Sequence, residues 1–348
     1  METNNMKTEA MYRSIKMDSS SSLKEFSLDK RKYRKKYILN EKIEETDNKA
    51  ATTGRIVETL LLEPDEFDNR FYLSACISAP TGLMLAFVDS LYKFTQESID
   101  ESGNIFRDFT EIAKDAYKES GFKIKFDAVL AKFIGSDSEI YYREMREVKA
   151  RGLTVVVIDD VNNAEKIVAE LKNNKFTSEI INLKNNRYYE VHNQLQIEGY
   201  IVDNHMFKSM MDKLIIDHRA KTIQVYDLKC IWAVEGFYEE YYLYRRSYIQ
   251  AYLYYKAAES LKTSLNLSEY VVLFPKFIVC DSINYYSPLI YTLNSNDIED
   301  AYNGFEHKGK KYPGIKELIN SLKWAIDNDV WNMSKKNYLN NGLVNIKN

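Results

Sequence analysis

The residues best suited to chemistry lie on either side of one short polar segment. Asp212 precedes and Asp227 follows the stretch Asp217-His218-Arg219-Ala220-Lys221, which is short enough to be a hairpin loop. Counting outward from that loop, Asp212 falls opposite Asp227 within about one residue of register. Asp227 and Lys229 are two positions apart, so their side chains leave the same face of the strand, as do Ile223 and Val225. These charges therefore stand beside a core. Two carboxylates facing each other on a half-buried sheet repel, by up to about 1 kcal/mol where exposed and by more where desolvated. A divalent cation between them removes the penalty. Lys229 beside them can orient or deprotonate a water, or meet developing negative charge. That set of groups suits hydrolysis of a phosphodiester with a hard cation. The spacing alone is common by chance, so the surrounding elements have to support it.

Composition narrows the alternatives. Cys76, Cys230 and Cys280 are far apart and form no C-x-x-C pair, so they assemble neither a four-thiolate zinc site nor an iron–sulfur cluster. An odd cysteine count fits a reducing compartment. The histidines, His192, His205, His218 and His307, show no H-E-x-x-H or H-x-H spacing. A bound metal would then rest on carboxylates, which favours Mg²⁺ or Mn²⁺. There is no Walker A glycine loop and no G-x-S-x-G elbow. A length of 348 residues points to two domains or one large domain with insertions, and 45% hydrophobic against 28% charged residues allows a real core. The net charge of −3 neither demands nor excludes a polyanionic partner, which leaves recognition to local basic patches. The apolar runs at 153–158 and 270–274 are far shorter than the roughly 18 residues that span a bilayer. The polar N-terminus lacks the apolar core of a secretion signal. The expectation is a cytoplasmic protein, with few Pro and Gly hinges.

The elements that must position these groups follow from periodicity. Residues 1–20 read as a disordered tail, 21–335 as a single domain, and 336–348 as a flexible tail. Ser22 with Glu25 three positions on predicts a capping box and a helix start. The run Lys30-Arg31-Lys32-Tyr33-Arg34-Lys35-Lys36 carries six positive charges in seven residues. It is either a solvated basic face or a set of phosphate contacts, with Lys30, Arg31, Arg34 and Lys35 as candidates for DNA binding. Thr52-Thr53-Gly54 opens a helix with Ile56, Val57, Leu60 and Leu61 inward, which Pro64 stops. Glu58 within it points either sideways into water or into a site. Residues 81–180 read as mainly helical, with 160–163 as the cap of a helix over 164–171. From about 188 the period changes to two, predicting a strand through Tyr189, Val191, Leu195 and Ile197 and two more over 206–216 and 222–231. A Tyr-rich helix over 239–261 sets Gln250 and Tyr254 one turn apart on one face. Arg246, a turn earlier on that face, is either a surface arginine or a phosphate contact. Strands over 271–279, broken by Pro275, and 289–292 follow, then a closing helix over 314–328.

In this order the motifs resemble PD-(D/E)XK nucleases of the RecB-like branch, particularly the phage-type exodeoxyribonuclease VIII (RecE) group. That group has an S-x-L-K-like helix start, a G-x-x-x-(H/E) helix, a strand with Asp, a (D/E)-x-K strand and a Q-x-x-x-Y helix. Here these match Ser21 to Phe26, Gly54 to Glu58, Asp212, Asp227 with Lys229, and Gln250 with Tyr254. The likeness spans roughly residues 20 to 330, with departures: Glu58 stands where His is commoner, Asp227 replaces the commoner Glu, and Met211 replaces proline before Asp212. The resemblance implies an α/β (α+β) fold with a restriction-endonuclease-like core, in which helices flank a central mixed sheet and a large helical insertion is added. It further implies a Mg²⁺ (or Mn²⁺) ion held by Asp212, Asp227 and the Leu228 carbonyl, with Glu58 as a further acidic group. Lys229 would activate water, and Gln250 and Tyr254 would position the site or touch DNA. The activity implied is a DNA nuclease, foremost a double-strand exonuclease of phage-type recombination or replication, acting in the host cytoplasm if phage-encoded. Its partners would be duplex DNA with an end, a single-strand-annealing or recombination protein, and further copies of itself in an oligomer. A catalytically inactive DNA-binding or assembly protein and an endonuclease or nickase remain alternatives on the same fold.

Overall fold

The computed structural model describes residues 7–41, 49–344 and 346. The chain divides into two compact units, Met1–Gly54 with Ala169–Asn348, and Arg55–Val168.

The larger unit starts with α1 (Glu9–Ser14), α2 (Ser20–Leu28) and α3 (Lys30–Tyr33), followed by a π-turn over Arg34–Ile38. The expected disordered tail is therefore a helix over part of its length, while residues 1–6 lie outside the described residues. The reason is tertiary. The buried Lys208 ammonium donates to the carbonyls of Tyr12, Arg13 and Ile15 at 2.8, 3.1 and 2.8 Å, satisfying the acceptors that the end of α1 leaves open. The capping box of α2 is Ser19 with Ser22, one turn earlier than predicted. Glu25 instead pairs with Lys32 at 3.1 Å. Leu23 and Phe26 anchor α2 in the core.

Helix α4 (Lys49–Leu62) ends just before Pro64, as predicted. The smaller unit continues with α5 (Phe67–Arg70), β1 (Phe71–Leu73), α6 (Gly82–Glu97), α7 (Phe109–Ser120), α8 (Phe126–Phe133), α9 (Asp137–Lys149), β2 (Thr154–Val156) and α10 (Ile158–Asn173), whose last turns belong to the larger unit. Phe87, Leu91, Ile112, Val129, Phe133 and Met145 form its core. Two features differ from the sequence expectation. Strands β1 and β2 pair in parallel, a short ladder that a continuous apolar run does not reveal. Helix α10 begins at Ile158, so Asp160 lies in its first turn, where a carboxylate favours the helix, and not at a cap.

After α11 (Ser178–Ile181) come β3 (Tyr189–Val202), β4 (His205–Asp217), β5 (Thr222–Ile231), then α12 (Ser247–Ser264), β6 (Val271–Val272), β7 (Lys276–Asp281) and β8 (Leu289–Tyr291). The sheet order is β3-β4-β5-β7-β8, with β6 also on β5. The pairs β3/β4, β4/β5 and β7/β8 are antiparallel, and β5 runs parallel to β6 and β7, so the central sheet is mixed, as expected. Pro275 falls in the gap between β6 and β7, where no ladder donor is needed. Helix α12 covers β3, β4 and β5, burying Ile249, Leu253 and Ala257 with Leu214, Ile216, Ile223 and Val225. The single helix predicted over 239–261 is in fact broken. A π-turn covers Tyr238–Tyr244, Arg246 is left-handed at φ 57°, and only then does α12 start. A left-handed residue cannot continue a right-handed helix. The unit closes with α13 (Ser295–Asn303), the hairpin β9 (Gly304–His307) and β10 (Lys310–Pro313), α14 (Ile315–Asn328) and α15 (Lys335–Leu339), the last running from the domain's expected end into the tail expected to be flexible. No described helix is long and apolar enough to cross a membrane.

Candidate active site

The β4/β5 ladder runs from Asp217 opposite Thr222 to Lys213 opposite Tyr226. One further step brings Asp212 to Asp227, the pairing that hairpin counting predicts. At that step a side chain takes over the ladder: Asp212 Oδ2 accepts the Leu228 backbone N–H at 2.7 Å. Asp227 is only 1% exposed. Its Oδ1 accepts from Gln250 Nε2 at 2.6 Å. Its Oδ2 forms an ion pair with the Lys229 ammonium, yet no donor is aligned on that oxygen as a hydrogen bond.

Helix α12 holds the other side. Gln250 Nε2 also donates to Tyr254 Oη at 2.9 Å, and the Tyr254 hydroxyl donates to the Met210 carbonyl at 2.6 Å. The i, i+4 spacing of Gln250 and Tyr254 places both on one face, and the apolar residues between them press that face onto the sheet. The structure thus brings together Asp212, Asp227, Leu228, Lys229, Gln250 and Tyr254.

One member escaped the sequence reading. Lys24 Nζ donates to Gln250 Oε1 at 2.8 Å, which fixes the amide with its oxygen toward Lys24 and its nitrogen toward Asp227. Burial pushes the Lys24 ammonium down to about 7, and nearby Lys229 adds to the drop while Asp227 and Asp212 oppose it. Its signal lay within the stretch from Ser21 to Phe26. Leu23 and Phe26 mark the buried side of α2, and Lys24 is the motif's lysine, next to Leu23.

The remaining candidates are placed as follows. Glu58 is on α4 in the smaller unit. Among the described residues, no group of three or more His, Cys, Asp or Glu has metal-holding geometry. Arg246 does not share the Gln250 face: it precedes α12 in the left-handed conformation and donates to the Tyr248 hydroxyl at 3.1 Å, which in turn donates to the Pro313 carbonyl at 3.0 Å. The basic run is joined to its own surroundings. Lys30 lies 5.2 Å over the Phe26 ring, Arg31 is 4.0 Å from Asp29, and Arg34 pairs with Asp329 at 2.9 Å, while Lys35 is exposed.

The donor chemistry of the cluster fits a hard cation. Two carboxylates and a strand backbone present oxygen alone, and Asp227 Oδ2 is a buried acceptor without an aligned donor. Mg²⁺ commonly rests on one or two carboxylates and completes its shell with water.

No protein-family model matches the sequence, and no curated protein matches it. Among solved structures the chain is similar to the crystal structure of "Putative exonuclease" from Eubacterium rectale, at 12% identity and a TM-score of 0.43, over 86% of this chain and 81% of that one.

Proposed function

We propose that this chain is a Mg²⁺-dependent (or Mn²⁺-dependent) DNA nuclease, specifically an exonuclease that degrades linear duplex from an end. The observation that carries the proposal is the Asp212/Asp227 pair on adjacent antiparallel strands, with Lys229 ion-paired and Gln250 hydrogen-bonded to the buried Asp227. Asp212, Asp227 and the Leu228 carbonyl would hold the cation, which would polarise a phosphoryl oxygen and lower the pKa of a water. Gln250, itself bonded to Tyr254, holds one oxygen of Asp227, so the other keeps its direction. Lys229 lies at that second oxygen, where an ammonium can orient the attacking water or meet negative charge as it builds. The partner is duplex DNA with an end. A single-strand-annealing or recombination protein, a homo-oligomeric state and action in the cytoplasm complete the proposal.

One observation favours a second reading, a catalytically silent DNA-binding protein: the Lys229 ammonium already lies on the Asp227 oxygen that a cation would take. The deciding experiment incubates linear and circular duplex with the protein in Mg²⁺, Mn²⁺ or EDTA. Loss of linear DNA alone, abolished by EDTA and by Asp227→Ala and Lys229→Ala, is the expected result. Cutting of the circle makes the enzyme an endonuclease. Metal-dependent cutting that persists unchanged in both variants removes the site assignment, and salt-sensitive binding without cutting supports the silent protein.

A further inference from the structure

We propose that Lys24 is a substrate-contacting residue, its ammonium placed to take a non-bridging oxygen of a backbone phosphate lying against the Asp212/Asp227 cluster. This rests on the nuclease proposal, since it assigns to that site a second cation for the strand.

The placement is rigid. Ser19 and Ser22 cap α2 reciprocally, and Leu23 and Phe26 on either side of Lys24 are fully buried. That fixes the base of the side chain, and the ammonium donates to Gln250 Oε1, 2.8 Å away. Through Gln250 it lies one residue from Asp227, and it feels the charges of Lys229, Asp227 and Asp212 together.

A charge at this place has a cost that its visible hydrogen bond does not explain. Satisfying the Gln250 amide oxygen needs only a neutral donor such as a hydroxyl or an amide. An ammonium is desolvated here and repelled by Lys229. As the cluster stands, two cations face two carboxylates and the charges balance. A divalent cation on the carboxylates would leave Lys24 and Lys229 in net positive surroundings, which an anionic phosphodiester neutralises. Lysine recognises phosphate as a compact point charge and needs no planar fork, so it suits a backbone contact independent of base sequence.

The test measures binding of a labelled linear duplex by fluorescence anisotropy in Ca²⁺, a hard cation for the carboxylates, held at one concentration across a salt series, alongside cleavage in Mg²⁺, for wild type, Lys24→Met and Lys24→Arg. Met keeps the length of the side chain and removes the charge; Arg keeps the charge. One lost phosphate contact lowers the slope of log affinity against log salt by about 0.9, or roughly fivefold in affinity near 0.15 M salt. Lys24→Met is expected to show that loss and Lys24→Arg to retain the slope. A wild type that cleaves, with Lys24→Met equal to it in slope, affinity and cleavage rate, overturns the role of Lys24 and leaves the nuclease proposal standing. A wild type that neither binds nor cleaves overturns both. A Lys24→Met protein that binds less tightly with an unchanged slope also overturns the phosphate contact, because loss of structure weakens binding without removing a counterion-releasing charge.

Discussion

Lys229 and Asp227 form an ion pair whose members differ in access to water, and unequal costs of deletion follow. The Asp227 side chain is 1% exposed and that of Lys229 is 21% exposed. Lys229→Met leaves a carboxylate that cannot reach solvent, held by the Gln250 amide alone among its described hydrogen bonds. Removing one partner of a buried pair typically costs about 3–5 kcal/mol, most of it from the stranded charge. Asp227→Asn strands the lysine instead, but a partly exposed ammonium on a four-carbon stem can swing into water. The new amide can still accept from Gln250, so its cost should be nearer a lost charge-assisted hydrogen bond, about 1–3 kcal/mol. Trp232, Trp324 and Trp331 are the protein's only tryptophans and all lie in the larger unit, so their fluorescence follows unfolding of the unit that holds the site. Urea titrations in EDTA should place Lys229→Met below Asp227→Asn in stability, with the double variant close to Asp227→Asn. Adding Mg²⁺ should restore more stability to Lys229→Met than to wild type, because the ion no longer competes with the ammonium for Asp227 Oδ2. Equal costs for the two single variants, or a larger cost for Asp227→Asn, would refute the reasoning from burial.

Three other outcomes are expected. Lys213, 4% exposed with its ammonium 3.3 Å from Asn193 Oδ1, is pushed by burial down to about 8; the charged form is disfavoured in the fold, so the penalty is present below pH 8 and disappears as pH rises from there toward 10.5. Lys213→Met should therefore be the more stable protein at pH 6, by up to roughly 3 kcal/mol, with the gap to wild type closing above pH 10 in urea titrations. Arg246→Ala should lower the unfolding midpoint through the lost bond to Tyr248 yet leave the salt slope of DNA binding unchanged, and a lowered slope would return Arg246 to the DNA-contacting set. Lys208→Ala should release α1 from the sheet, which limited proteolysis would detect as faster cleavage within residues 9–18 than in wild type.

The strands that carry the acidic pair were legible because a period of two and a loop-length polar segment leave little freedom. Once 206–216 and 222–231 are paired through a five-residue loop, apolar Leu214, Ile216, Ile223 and Val225 must share the buried face, and Asp212 and Asp227 must follow them. Gln250 and Tyr254 were legible for the matching reason on a helix, a separation of one turn. Spacing could not tell which helix ends are displaced by a neighbour. Arg246 fell out of α12 because its backbone is left-handed there, and Ser19 replaced Ser22 as a cap because a serine can fill either role. That Lys24 and Lys208 are held by distant oxygens was hidden for a deeper reason. A lysine on a helix or strand looks solvated, and only partners more than 180 positions away, Gln250 for one and the end of α1 for the other, reveal that it is not. Local sequence determined which residues alternate and which stack, since those patterns depend on backbone geometry over a few residues. Which lysine is desolvated, and against which oxygen, was decided by long-range packing, because the energy of a buried charge depends on all that surrounds it.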